Sequence, residues 1–121
     1  MHMASHLVQY VVLRSDLQKV MGWPLGAVVA QGCHACSAAL HIFRADVHTQ
    51  RYLADLGRMH KVVLAADGED ALRELTERLV ADGVDHHLWV EQPENIATGL
   101  ALKPYPKEEV HHHLKQFKLL K

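Results

Sequence analysis

The stretch "KVVLAADGEDALRELTERLVADGVDHHLWVE", Lys61 to Glu91, decides the fold. It opens on a short strand-like run, Lys61–Ala66, and closes on another, Asp85–Glu91. Between them Leu72, Leu75, Leu79 and Val80 recur at helical spacing, with Asp67 as the expected N-cap and Gly83 as the stop. Strand, helix and strand in succession favour a parallel pair and a sheet covered by helices.

Working outward, "LVQYVVLR" (Leu7–Arg14) is apolar enough for a central strand, ended by Ser15 and Asp16. An irregular connection punctuated by Gly22, Pro24 and Gly26 leads into a small-residue helix running to about Arg44. Val47, Tyr52, Leu53 and Leu56 suit a second helix stopped by Gly57. On the other side, "IATGLALKP" (Ile96–Pro104) is a fourth strand, joined to the third by the turn-like "QPEN". That short link favours an antiparallel pair. "PKEEVHHHLKQF" is a last helix with Pro106 at its start. The expected architecture is α/β: a mixed four-stranded sheet in the order β-α-α-β-α-β-β-α.

The chain has 121 residues, suited to one domain, and a formal net charge of -1. No global field attracts nucleic acid or membrane, so an anionic partner needs a local patch. No run approaches the ~18–20 apolar residues that span a bilayer, and no membrane association is expected. The start, "MHMASH", lacks the layout of a secretory signal. Residues 1–6 read as a leader, in part an appended remnant, and 7–121 as the domain. Two cysteines make no disulfide framework, which points to a reduced, cytoplasmic setting.

"GAVVAQGCHACSAALHIF" (Gly26–Phe43) carries one imidazole, His34, among small and apolar side chains. Val28, Ala35, Ala39 and Ile42 form a packing stripe, and His34 falls roughly 120° from it, at the flank of the helix. There it can look into a cleft or serve as a hydrogen-bonded boundary residue. Cys33 and Cys36 match Cys-x-x-Cys, but they lie two turns inside the helix, away from the N-terminal dipole that activates a thiol. They read as packing residues. No set of ligands converges for zinc: His111–His113 spread around a helix, and His86 and His87 alternate across a strand.

"LVQYVVLRSDL", "GAVVAQGCHA", "KVVLAADGEDAL" and "LALKPYPKEEV", in that order, resemble the archaeal and eukaryotic (type 2) peptidyl-tRNA hydrolases over nearly the whole chain after Leu7. "LGRMHKVVL" and "LWVEQPENIAT" are most similar to the divergent animal branch of that family. The resemblance implies a sheet with helices on both faces and a hydrolase acting in translation. Its substrate is peptidyl-tRNA, whose peptide–ribose ester it cleaves with no metal or organic cofactor. It also implies a homodimer. The family's glutamine corresponds to Gln31 and its helix histidine to His34. Its aspartate falls at Glu91 and a strand threonine at Thr98, making His34, Glu91 and Thr98 the implied catalytic set. The family's lysine falls at Ala27, which can neither donate a proton nor pair with phosphate, and a second threonine has no counterpart in "QPEN". Arg14 or Lys19 could substitute for that cation. Lys103, Lys107, Lys115 and Lys118 join Lys19 as candidate tRNA contacts, or as a solvated face. The alternative is a catalytically impaired relative that binds tRNA, another RNA or a protein.

Overall fold

The computed structural model describes residues 6–121. The expected leader falls, except for His6, outside the described residues. Strand β1 (Leu7–Arg14) leads through a short helix α1 (Asp16–Lys19) to the long helix α2 (Leu25–Ile42) and then α3 (Val47–Ala54). A 3-10 turn at Leu56–Arg58 precedes β2 (Lys61–Ala66), α4 (Glu69–Ala81), β3 (His86–Glu91) and β4 (Ile96–Leu102). Then come β5 (Tyr105–Pro106), α5 (Lys107–Leu114) and β6 (Lys118–Leu119).

The sheet has six strands where four were expected, in the order β3-β4-β1-β2-β6, with β5 on β1. The additions are two-residue strands, too short to leave a pattern. β6 lies just past the expected end of the last helix at Phe117, while the helix itself stops at Leu114. β1 and β2 are parallel and β3 and β4 antiparallel, but β2 and β3, joined through α4, form no pair, because β1 and β4 lie between them.

Helices cover both faces. On one, α4 lays Leu72, Leu75 and Leu79 against Val8, Val12, Leu100 and Leu102, and α5 adds Val110 and Leu114. On the other, Val28, Ala35 and Ala39 of α2 meet Val11, Leu13 and Ala101. β1 is buried along its whole length because both layers close on it. Each buried aliphatic side chain contributes about 1.5–3 kcal/mol. Gly99 is required here: a Cβ would stand 2.6 Å from Leu13 Cδ2 and 3.1 Å from the Val12 carbonyl.

Several stripe assignments shift. Val80 is exposed because it lies past the contact arc of α4, and Ile42 because it is the last residue of α2. In α3 the buried pair is Thr49 and Tyr52, leaving Val47, Leu53 and Leu56 in solvent. Gly68, not Asp67, is the α4 N-cap, and Glu69 and Asp70 complement the helix dipole from the first turn. At 18 residues, α2 is long and apolar enough to cross a bilayer, contrary to expectation. Here it lies against the sheet through Val28, Ala35 and Ala39.

Candidate active site

The candidate residues converge where α2 crosses β3 and β4. Gln31 is buried in the second turn of α2 and bridges the two strands. Its Oε1 accepts from the Thr98 hydroxyl at 2.8 Å, and its Nε2 donates to Glu91 Oε2 at 3.0 Å and to the Ala27 carbonyl at 3.2 Å. Trp89 Nε1 donates to the other carboxylate oxygen of Glu91 at 3.0 Å. The Trp89 ring stacks on His34 with centroids 4.5 Å apart and planes 14° from parallel. His34, Glu91, Thr98, Gln31 and Ala27 therefore form one cluster, with Trp89 as a member that residue spacing did not suggest.

A β-bulge aims Thr98 into it. Trp89 pairs with Gly99, but the next residue, Val90, pairs with Ala97, leaving Thr98 as the extra residue of β4. The parity of β4 flips there. Ala97 packs with the α4 layer and Ile96 with the α2 layer. Beside the bulge, side chains replace the missing ladder bonds. Ala97 N donates to Glu69 Oε2 at 3.0 Å, and the Ala97 carbonyl accepts from Arg14 Nη1 at 2.9 Å. Arg14 in turn holds Asp16 through two bonds of 2.9 Å. Arg14 is thus a buried ion engaged with Asp16, Glu69 and the Ala97 carbonyl.

Hydrogen bonds from Gln31 and Trp89, with the nearby His34 charge, hold the Glu91 carboxyl below the usual carboxylate range. Among the described residues no lysine or arginine pairs with it. Glu91 is an ionised acceptor. Thr98 is fully buried and its proton is committed to Gln31. His34 is the exposed member of the cluster.

Glu91 lies at the end of the sheet where β1 and β2 finish, since Arg14 pairs with Ala66 and Leu13 with Gly99. Open α/β sheets commonly bind ligands outside these carboxyl ends. Lys118, opposite Ala65, shares that end, as does Lys19 in α1, just after β1. Four strand spacings, about 19 Å, separate β3 from β6. Lys107 follows Pro106, which pairs with Leu7 at the opposite end of the sheet. Lys115 is exposed just past α5. Lys103 is corrected from a surface contact to an internal one. It is buried, and donates to Asp46 at 2.6 Å and Asp85 at 2.9 Å, tying the N-cap of α3 to the sheet.

The cysteines are unpaired. Burial pushes the Cys36 thiol up, away from the reactive thiolate, while Cys33 is exposed and not a packing residue. Among the described residues no group of three His, Cys, Asp or Glu side chains could hold a metal. His113 is buried near Asp82, while His111 and His112 face solvent.

Comparison with known proteins gives a consistent result. The family model "Peptidyl-tRNA hydrolase PTH2" matches residues 7–120. The proteins named "Putative peptidyl-tRNA hydrolase PTRHD1" from Mus musculus and from Homo sapiens are each 60% identical over 116 residues. Each alignment covers 95% of this chain and 83% of the relative.

Proposed function

The chain belongs to the type 2 peptidyl-tRNA hydrolase family, and from that premise we propose that it hydrolyses the ester between a peptide and the 3′-ribose of tRNA. The observation that carries this reading is the path of contacts from His34 through Trp89, Glu91 and Gln31 to Thr98. It keeps an exposed imidazole beside a fixed carboxylate.

In the proposed reaction His34 takes a proton from water as the water oxygen bonds to the ester carbonyl carbon. The bond from that carbon to the ribose oxygen then breaks, and the same proton passes from His34 to the departing oxygen. Glu91 stabilises the transient imidazolium and does not itself give up a proton. Gln31 and Thr98 are positioning residues, since their polar groups are engaged with one another. Ala27, in place of the family's lysine, removes one electrostatic contact, so turnover is slower than a lysine at that position would support. Lys19, Lys115 and Lys118 meet phosphates, and affinity falls as salt rises. The partner is peptidyl-tRNA.

Release of labelled peptide from a model peptidyl-tRNA tests this. Parent protein should release it, and His34→Ala should be slower by about 100-fold or more. No release by folded parent protein, beside a working control hydrolase, refutes the enzyme. Retention of the tRNA in that experiment identifies a binding protein instead.

A further inference from the structure

On the flank of α2 away from the cluster runs a second feature, which shares only Lys19 with the proposed hydrolysis. A groove of about 720 Å³ separates α2 from β2 and the chain end. One wall is a ridge of α2 side chains: Leu25, Val29, Cys33, Cys36 and Leu40. At 1.5 Å per residue the ridge is about 22 Å long. Leu53, Met59 and Val63 face it, and, with Leu25 and Val29, all are exposed large apolar side chains.

The charges around this groove are of one sign. Lys19 lies near the N-terminal end of α2. Lys61 lies toward the other end, close enough to Cys36 for its charge to act on the thiol. Among the described residues no carboxylate pairs with either lysine, and no aspartate or glutamate side chain lines the groove. Lys61 is held in place by Gln9 and by the face of Tyr52.

We propose that this groove docks an acidic amphipathic helix of a partner protein. An α2 ridge about 22 Å long matches a neighbouring helix of about four turns. Its apolar stripe meets the ridge and β2, and carboxylates near its two ends meet Lys19 and Lys61. A second copy of this chain is disfavoured, because a two-fold contact here would bring like lysines together. The peptide of the proposed substrate is also disfavoured. Gln31 lies about 200° around α2 from Val29, so the helix stands between the site and the groove.

The test uses the full chain and a fluorescein-labelled probe of about 18 residues, an amphipathic helix of leucine, alanine and glutamate. Anisotropy should report saturable binding. Val29→Glu should weaken it about tenfold or more, and Lys19→Glu about threefold to tenfold, with circular dichroism confirming the fold. Val80→Glu, exposed on α4, should leave binding unchanged. The proposal is overturned if no binding is seen, if a lysine-for-glutamate probe binds equally, or if Val29→Glu and Val80→Glu behave alike. It is overturned equally if sedimentation shows a dimer that Val29→Glu dissolves, since the occupant is then a second copy. None of these readings requires catalysis, so the outcome is independent of the proposed hydrolysis.

Discussion

Gln31→Met removes the buried link of the cluster while nearly keeping the side-chain length. The Thr98 hydroxyl, fully buried, then loses its acceptor across 67 residues of sequence separation. An unsatisfied buried hydroxyl costs about 1–3 kcal/mol, so the variant should lose about 2 kcal/mol of stability. Thr98→Val alone leaves the Gln31 oxygen without its partner and should cost a similar amount. The double variant replaces both partners with apolar groups and should lose less than the sum, giving a coupling of about 1–2 kcal/mol. Urea unfolding of the four proteins measures this cycle. In Gln31→Met the Glu91 carboxyl should also move up toward its ordinary range, because the first of its supports is gone. NMR titration of the Glu91 side chain detects that change. Strict additivity of the two losses, or a Gln31→Met loss below about 0.5 kcal/mol, would refute the bridge between α2 and the bulge.

Other perturbations address the neighbouring parts. Trp89→Phe preserves a ring for His34 but deletes the donor to Glu91, so NMR titration should find the Glu91 carboxyl moved up toward its ordinary range with little loss of fold. Arg14→Met leaves Asp16 and the Ala97 carbonyl without their cation, and Glu69 with Arg73 alone, and should cost about 3–5 kcal/mol in urea unfolding. Glu69, lowered chiefly by its bond from Ala97 N, has a folded pKa below its unfolded one. Its stabilisation is present above the unfolded value and lost as pH falls through the folded one, so Glu69→Gln should flatten the acid side of a stability–pH curve. Gly99→Ala forces a methyl against Leu13 and the Val12 carbonyl and should lower stability by about 1–3 kcal/mol by thermal unfolding.

Local sequence determined the alternation of strands and helices, and it placed β1 and β2 with their observed ends. Period-two and helical patterns are written in neighbouring residues, so they are legible without a fold. The same holds for Gln31 and His34, which share a helix. The two short strands escaped because two residues carry no period. Val80, Ile42 and Val47 fit their stripes yet remain in solvent, since burial depends on what lies opposite.

Only the tertiary structure decided how the site is built. Thr98 faces Gln31 because the pairing of β3 with β4 skips one residue, and that register belongs to two strands together. Trp89 joins the cluster because its indole reaches both His34 on α2 and Glu91 on its own strand. Lys103 looked like part of a basic surface, but Asp46 and Asp85, each distant in sequence, draw it inside. A charge is read from sequence as a residue type, but its role depends on its partners. Those partners meet only when the chain has folded.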